Sequence, residues 1–415
     1  MAYDDLRDFI ARLEKDGQLR RVTALVDPTL EVTEIVQRVV RAQGPALLFQ
    51  RPTRGRLPLA INLFGTEQRM ATALGVEKLD DVGARIAELL KPELPVGLGG
   101  LREALGKAAQ LRALPPKRTK TAPCQDVVLK GDEVDLGILP GLHAWPEDGG
   151  VFLNLGLTHT KHPETGARNL GMYRLQQHDA RTVGMHWQIH KDSNAHHAVA
   201  ERRGERLPEG PFGDHTGFYT PVEPFPALTV DCMTMQRDPV YQTVIVGRPP
   251  QEDGPIGKAT ERIFLPLLRL SIPDIVDYDL PVEGVFHNCV IVSIEKRFPK
   301  HAQKVMNAIW GAGLLSLSKL VVVVDADCDV HDYSEVAWRA LGNVDYAHDL
   351  LRTEGPVDHL DHASYEQFWG GKAGLDATRK LPTEGYRRAG GWPAEAVMAP
   401  EVVARVDRRW QELGL

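Results

Sequence analysis

The sequence has few cysteines, no excess of basic residues and no long apolar run. Its 415 residues contain four cysteines without CxxC spacing, which we interpret as reduced thiols of a cytoplasmic protein. The net charge of −7, without a basic stripe, argues against nucleic-acid binding. No run of 18 apolar residues occurs, and the start Met-Ala-Tyr-Asp-Asp is acidic. We therefore expect neither a membrane span nor a secretory signal.

Familiar nucleotide-binding and hydrolase motifs are also absent. The sequence contains no GxGxxG, no P-loop and no GxSxG, so dinucleotide, nucleoside-triphosphate and serine-hydrolase chemistry are not indicated. Glycine and proline are abundant, with 38 and 29 residues, which implies many turns. The length is sufficient for two or three domains.

The first part of the chain alternates between helical and strand patterns. Apolar residues at helical spacing predict helices over 4–16 and 30–43, and residues 45–50 read as a strand. This alternation favours a small α/β domain over residues 1–115. The basic, proline-rich segment 112–123 is interpreted as the connector that ends it.

The middle of the chain, residues 120–298, has mostly strand patterns. Apolar and β-branched residues bounded by turn residues predict a β-rich domain resembling a split barrel. The predicted strands cover residues 152–160, 169–176, 183–190, 227–235 and 241–246.

Residues 299–415 are predicted to form a third domain of helices and strands. A helix lies within 299–315, and the apolar run 319–325 is typical of a buried strand. Asp332 is placed to cap a further helix. The amphipathic helix over 400–413 needs a docking surface, either on its own core or on a partner subunit. The predicted fold class is therefore α+β multidomain, with α/β terminal domains and a β-rich middle domain.

The segment Glu209-Gly-Pro-Phe-Gly-Asp-His-Thr-Gly217 is the strongest candidate for a site. Gly210 and Gly213 allow backbone conformations closed to other residues, and Pro211 fixes one φ angle. Such a loop can aim Glu209 and Asp214 at one point, and paired carboxylates have their pKa values pushed apart. The plain alternative is a solvated acidic turn.

Two further segments carry candidate polar groups. Arg174 could pair with the two carboxylates, although alone it reads as a surface arginine. In Met185-His-Trp-Gln-Ile-His190, strand alternation places His186, Gln188 and His190 on one face. That face could bind a metal or a polar cofactor, or it could simply face solvent. A metal hydrolase using these histidines and the acidic pair is one alternative function.

Taken together, these segments resemble the UbiD family of decarboxylases, which use prenylated FMN. The matching stretches run nearly from end to end, in the family's order. They are Asp5-Leu-Arg-Asp-Phe-Ile-Ala-Arg-Leu-Glu, Trp145-Pro-Glu-Asp148, Asn169-Leu-Gly-Met-Tyr-Arg174, the Glu209–Gly217 segment, Gly247-Arg-Pro-Pro250 and Gly374-Leu-Asp-Ala-Thr378.

The resemblance implies roles for particular residues. Glu209, Arg174 and Asp214 match the family's catalytic set, with Asp214 as proton donor. Asn169 and His190 match ligands of a divalent metal, Mn²⁺ with K⁺ as a further candidate ion, that holds the cofactor phosphate. The stretches that match cofactor contacts are Met172, Tyr173 and Arg174, then His186, Trp187 and Gln188, followed by Lys191 and Asp192. At Lys191 and Asp192 the sequence departs from the family's His-Arg-Gly form.

The resemblance also implies that a block of the cofactor domain is missing here. In relatives a helix and strands lie between the equivalents of Pro208 and Glu209, and they supply a glutamate that completes the metal site. In this chain Pro208 and Glu209 are adjacent. A catalytically inactive scaffold or assembly subunit is therefore the main alternative to an active enzyme.

The implied activity is non-oxidative decarboxylation of an aromatic acid. The branch resembled acts on polyprenylated hydroxyarenecarboxylates in ubiquinone or menaquinone synthesis, which implies peripheral membrane contact. The apolar run 263–270 could line a path for such a chain, but we interpret it mainly as core. A flavin prenyltransferase would supply the cofactor, and a homodimer or hexamer is expected.

Overall fold

The computed structural model describes residues 3–91, 118–188, 192–200 and 206–414, together with positions 106, 109, 112 and 115. The helices are α1 (Leu6–Lys15), α2 (Glu31–Arg41), α3 (Glu67–Leu74), α4 (Asp80–Leu90), α5 (Asp192–Ala200), α6 (Asp253–Ser271), α7 (His301–Trp310), α8 (Tyr333–Asn343) and α9 (Pro400–Arg409). The first ten strands are β1 (Leu19–Val26), β2 (Ala46–Pro52), β3 (Leu59–Ile61), β4 (Val127–Lys130), β5 (Val151–Leu153), β6 (Leu157–Lys161), β7 (Arg168–Met172), β8 (Leu175–Gln177), β9 (Thr182–Met185) and β10 (Arg206–Glu209). The others are β11 (Phe212–Gly213), β12 (Tyr219–Thr220), β13 (Glu223–Thr229), β14 (Cys232–Met235), β15 (Tyr241–Gln242), β16 (Ile275–Asp279), β17 (Cys289–Ile294), β18 (Leu320–Asp325), β19 (Leu350–Pro356) and β20 (Trp369–Asp376).

The N-terminal sheet has the order β1-β2-β3-β15, with a helix on each face. Helix α1 begins where the Asp5 side chain accepts a hydrogen bond from the Asp8 amide, and it packs on one face of β2 and β3. Helix α2 packs on the other face, because successive strand residues point to opposite sides. Both helices and β2 were predicted from sequence with nearly these bounds.

Strand β15 connects the N-terminal sheet to the middle of the chain. It pairs in parallel with β3, through Tyr241 with Leu59 and Gln242 with Ala60. The segment 241–246 was expected within the middle domain, yet its first two residues extend the N-terminal sheet. The predicted domain boundaries themselves stay a prediction.

The central sheet is open, with the order β10-β13-β9-β8-β5. The described strands therefore do not close into the expected split barrel, because β10 and β5 are edges. The predicted strands were also too long. The run 152–160 breaks at Leu155, whose φ is 64°, and β9 ends at Met185 rather than reaching residue 190. The alternation of apolar and polar residues within one strand does not show where the neighbouring strand of the sheet ends.

The C-terminal sheet has the order β16-β17-β18-β20-β19, with helices on both faces. Its central strands β17 and β18 run parallel, and β18 confirms the predicted buried strand. Helix α7 covers one face through residues such as Met306. Helix α8 covers the other and begins at Asp332, whose carboxylate accepts hydrogen bonds from the Ser334 and Glu335 amides.

Helix α9 is the exception, because none of its residues is buried. Its stripe includes Val403, Val406, Trp410 and Leu413, which are 38–50% exposed. The chain's own core is therefore not the docking surface among the described residues. Within those residues, no helix combines the length and apolar character required to cross a bilayer.

The core beneath α7 should be sensitive to truncation. Ile294 on β17 is fully buried there, so Ile294→Ala should lower the free energy of unfolding by about 2–5 kcal/mol. Leu341→Ala, at a position 78% exposed on α8, is the control and should change it by less than about 0.5 kcal/mol. Urea denaturation followed by circular dichroism measures both, and equal effects would show that this core is not formed.

Candidate active site

The loop between Glu209 and Gly217 is held in one conformation by close packing. Gly210 has φ of 99°, and a Cβ there would lie 2.8 Å from the Pro221 carbonyl oxygen. At Gly213 a Cβ would overlap the Trp145 ring. The Gly213 amide donates to the Asp148 carboxylate at 2.7 Å. The loop is therefore packed, and it is not the solvated turn that the sequence left open.

Arg174 joins the two carboxylates of this loop. Its Nε and Nη2 donate to Glu209 at 2.8 and 3.0 Å, and its Nη1 donates to Asp214. Nη2 also donates to Thr220 at 3.0 Å. The guanidinium carbon lies 4.3 Å from the centre of the Phe212 ring, and the side chain is only 9% exposed. The structure thus brings together all three residues assigned to the catalytic set, although their catalytic roles remain predictions.

The pKa values of both carboxyls lie below their ordinary values. Burial alone would raise the pKa of Glu209, but hydrogen bonds from His186 and Arg174 outweigh it and lower that pKa. Burial would likewise raise the pKa of Asp214, and the His215 hydrogen bond with the charge of Arg174 lowers it instead. Both groups are therefore carboxylates near pH 7. Because the two pKa values shift in the same direction, they are not separated into an acid and a base as the sequence suggested.

His186 completes the polar cluster around Arg174. Its Nδ1 lies 3.0 Å from Arg174 Nη2 and 3.2 Å from the Glu209 carboxylate. Burial lowers the pKa of His186, so the ring is neutral near pH 7. Because the Glu209 carboxylate only accepts, the hydrogen of the neutral ring lies on Nδ1 and is donated to Glu209. Beyond it, Gln188 donates to Asp358.

The other predicted cofactor contacts do not all lie at the cavity. Met172 and Tyr173 line the same cavity as Arg174, His186 and Gln188. Trp187 instead is buried and packs edge-on against Tyr173, with ring centres 5.1 Å apart. Asp192 is the first residue of α5 and does not contribute to the wall of this cavity. Lys191 lies outside the described residues.

The predicted metal ligands are not assembled among the described residues. Asn169 donates from its amide to the Ser193 hydroxyl at 2.7 Å, and His190 lies outside the described part of the chain. The group of metal-ligand type found in that part is Glu261, Asp279 and His331, in a different place. The structure therefore does not show a site that fits Mn²⁺ or K⁺ beside Asn169 among the described residues.

The cavity beside Arg174 has a volume of about 840 Å³, within the range of about 300–1,000 Å³ that is usual for ligand pockets. Its wall includes the polar cluster around Arg174. It also includes apolar side chains of α6, among them Phe264, Leu267 and Leu268. Phe264 and Leu267 are 53% and 38% exposed, so the interpretation of residues 263–270 mainly as core was wrong for these two side chains. A cavity with apolar walls and a few polar groups is suited to a planar aromatic ring system, so it fits the ring portion of a flavin.

Sequence reasoning missed several titratable residues that line this cavity, among them His215, Asp253, His287 and Asp358. His215 stands inside the Glu209–Gly217 motif, directly after Asp214, and that adjacency could have revealed it. Asp253, His287 and Asp358 are distant in sequence from the motif and from one another. No local pattern connects them, so only the fold brings them to the cavity.

The lowered carboxyl pKa values predict how stability depends on pH. A group whose pKa is lower in the folded state stabilises fully above its ordinary pKa, here 3.8 for Asp214 and 4.5 for Glu209, and loses that contribution as pH falls. The free energy of unfolding should therefore decrease below about pH 5. In Arg174→Leu it should be about 3–5 kcal/mol lower at pH 7, with a weaker dependence on acid, because the carboxylates lose their cation.

Arg181→Leu is the matched control. Arg181 makes looser ion pairs, at 3.4 Å, with exposed Asp132 and Asp231, and its loss should cost no more than about 1 kcal/mol. Urea denaturation between pH 3 and pH 7 measures all three proteins. If the free energy of unfolding of Arg174→Leu depends on pH in the same way as that of the unmodified protein, Arg174 is not the cause of the acid dependence.

Comparison with known proteins is consistent with this geometry. Three family profiles of 3-octaprenyl-4-hydroxybenzoate carboxy-lyase match the chain: the N-terminal domain at residues 10–87, the Rift-related domain at 116–208 and 202–249, and the C-terminal domain at 255–377. Uncharacterized proteins of Aquifex aeolicus and Archaeoglobus fulgidus are 41% and 42% identical over all of this chain and 99% of their own length. These alignments span 484 and 483 positions against 415 residues here. Together with the split match of the Rift-related domain, that difference agrees with a block missing near Pro208, which stays a prediction.

Solved structures show the same fold at low identity. The UbiD-class enzyme HmfF from Pelotomaculum thermopropionicum, in complex with FMN, aligns with a TM-score of 0.76 at 22% identity over 96% of this chain and 98% of its own. The closed form of vanillic acid decarboxylase from Sedimentibacter hydroxybenzoicus aligns with a TM-score of 0.81 at 21% identity over 99% of each chain. From the profiles and the curated relatives together, the chain belongs to the UbiD family of carboxy-lyases.

Proposed function

We propose that this protein removes CO₂ from an aromatic carboxylic acid with the aid of prenylated FMN bound in the 840 Å³ cavity. The observation that carries the proposal is the buried guanidinium of Arg174, held between two carboxylates in the wall of that cavity. Two UbiD-class structural neighbours support it, since they are HmfF in complex with FMN and an evolved HmfF in complex with prenylated FMN.

Arg174 is placed to orient the substrate carboxylate. Arginine has five N–H donors, and the described contacts use Nε, both hydrogens of Nη2 and one hydrogen of Nη1. The second Nη1 hydrogen has no acceptor among the described residues and is available to a substrate oxygen. Glu209 and Thr220 restrict the rotation of the guanidinium. The Arg174 side chain therefore loses little further conformational freedom when substrate binds.

Loss of CO₂ leaves an electron pair on an sp² carbon, and bound prenylated FMN supplies the electron sink that no side chain provides. Apolar side chains of α6 form part of the wall beside the proposed substrate site. Asp214 is placed to transfer a proton to that carbon. Since Asp214 is a carboxylate near pH 7, it must first receive that proton from a neighbour.

The substrate we propose is a hydroxyarenecarboxylate with a polyprenyl chain, as used in quinone synthesis. The apolar part of the cavity wall supports it, because Phe264, Leu267 and Leu314 line the cavity and are partly exposed. Such a chain would be collected at a membrane surface by a cytoplasmic protein. The cofactor would come from a flavin prenyltransferase.

A catalytically inactive scaffold is the second candidate function. The observation that favours it is the site around Asn169, whose amide donates to the Ser193 hydroxyl, and which is not part of the group of metal-ligand type found among the described residues. A cofactor phosphate would lack its metal anchor there. The two candidates differ in one simple property, since only the enzyme must bind flavin.

Absorption and turnover after co-expression with a flavin prenyltransferase separate the two candidates. The enzyme should show a flavin band and release CO₂ from hydroxybenzoates, tested with and without a prenyl chain. Asp214→Asn should keep the band and lose about 10²–10⁴-fold in turnover, because the proton-transferring group is gone. Asp345→Asn, which changes an exposed carboxyl, should retain full activity. A colourless, folded protein would reject the enzyme and favour the scaffold.

We also propose that α9 forms a contact between subunits of a homodimer or hexamer. Its apolar stripe is exposed, so Val406→Asp should separate the subunits and give the monomer mass of 46.0 kDa. Ala404→Asp introduces the same charge on the opposite face of the helix and should leave the assembly intact. Sedimentation velocity measures the mass, and an unchanged assembly in Val406→Asp would refute the contact.

A further inference from the structure

His215 and His287 form a line of polar contacts that continues from Asp214. His215 Nδ1 lies 2.6 Å from the Asp214 carboxylate, and His215 Nε2 lies 3.1 Å from His287 Nε2. The two imidazole rings are nearly perpendicular, at 81°, with centres 5.4 Å apart. Both rings line the cavity beside Arg174. The arrangement therefore has a carboxylate, a central imidazole and a second imidazole in hydrogen-bonding order.

The two contacts of His215 limit where hydrogens can be. Asp214 is a carboxylate that only accepts, so His215 Nδ1 must carry a hydrogen. The contact between the two Nε2 atoms needs one hydrogen, supplied by either ring. If His215 supplies it, that ring is a cation and His287 is neutral with its hydrogen on Nδ1. If His287 supplies it, His215 is neutral.

The surrounding charges favour the first arrangement. Burial alone would lower the pKa of His215, but the hydrogen bond and charge of Asp214 outweigh it and raise that pKa, with Asp253 and Asp358 adding to the effect. Arg174, the cation nearest to Asp214, is occupied by the two carboxylates. Burial lowers the pKa of His287, and the charge of His215 lowers it further. These charges therefore favour the proton on His215 over the proton on His287.

The backbone before His287 is held in an uncommon conformation. Val285 and Phe286 have φ values of 47° and 66°, so two consecutive residues with side chains lie in the left-handed region. Such residues, and β-branched valine above all, persist there only where the surroundings enforce the conformation. Phe286 lies beside the His215 ring, with centres 6.3 Å apart. The loop thus holds His287 against His215 at a cost in backbone strain.

We propose that His215 stores the proton that Asp214 delivers, and that His287 keeps His215 in the form that stores it. The proposal rests on the proposed decarboxylation. The carbon–carbon bond breaks, CO₂ leaves, and the remaining electron pair forms a C–H bond with the proton from Asp214. Asp214 receives it from His215 Nδ1, and His215 becomes neutral. Cavity water then restores the proton through Asp214 after product leaves. Neither histidine touches the reacting carbon, so both are positioning residues.

Proton storage can be tested without cofactor or substrate. In protein labelled with ¹⁵N-histidine, the NMR signals of the two rings are assigned by their loss in His215→Asn and His287→Asn. His215 should titrate above its ordinary value of 6.5, and Asp214→Asn should lower its midpoint. His215→Asn should raise the midpoint of His287, because a neighbouring positive charge is removed. A His215 midpoint at or below 6.5, or one unaffected by Asp214→Asn, would overturn the proposal.

Turnover tests the role of His287. His287→Ala should lower kcat by about 10–100-fold, change KM little and shift the pH optimum to lower pH, because His215 then loses its proton more readily. His287→Gln keeps an oxygen that can accept from His215 Nε2 and should recover most of the rate, whereas a merely structural role would not predict the recovered pH profile. His362→Asn, at an exposed histidine outside the cavity wall, is the control.

The outcomes separate this inference from the proposed function. If the unmodified enzyme is active and His287→Ala has the same pH profile, the role of the histidine pair is refuted. The proposed decarboxylation is not affected by that result. If the unmodified, flavin-loaded enzyme releases no CO₂ from any acid tested, the proposed decarboxylation is refuted. Any role of the two histidines in turnover is refuted with it. The NMR titration would still decide whether His215 stores a proton.

Discussion

The arrangement of the site depends on one buried cation, the guanidinium of Arg174. It is placed between β7 and β8 and binds carboxylates at the end of β10 and in the turn after β11. A buried ion pair gains little net stability, because removing the charges from water costs nearly as much as their attraction returns. Here one cation serves two carboxylates and also stacks on Phe212. We therefore explain the buried Arg174 by its chemical role, because it fixes the positions of two acidic groups at the wall of a cavity.

The cavity combines groups from parts of the chain that fold as separate layers. The cluster around Arg174 comes from the central part of the chain, whereas α6 and the segment before β18 supply much of the apolar wall. Asp358 enters from the loop after β19 and accepts a hydrogen bond from Gln188. This contact joins the C-terminal sheet to the central one at the site. A small movement between these layers would therefore change the cavity without changing either sheet.

Sequence patterns were most successful where one physical requirement dominates. Helices α1 and α2 each bury one apolar stripe, and the apolar run 319–325 occupies the centre of a sheet covered on both faces. Strand ends were less accurate, because a strand stops where its partner stops and alternation does not encode the partner. The prediction of a barrel was wrong for the same reason. A barrel closes only if the edge strands β5 and β10 pair with further strands, and no local sequence pattern shows such pairing.

The sequence by itself determined the family, the main helices, the buried strand and the candidate set of Arg174, Glu209 and Asp214. Motifs and hydrophobic periodicity carry that information because they depend on local backbone conformation and on the chemistry of individual side chains. The tertiary structure alone decided which distant groups share the cavity. It placed His287 against His215 and brought Asp253 and Asp358 near both. It also decided that Asp214 is ionised, because a pKa depends on burial and on neighbouring charges in space, and neither is written in the order of residues.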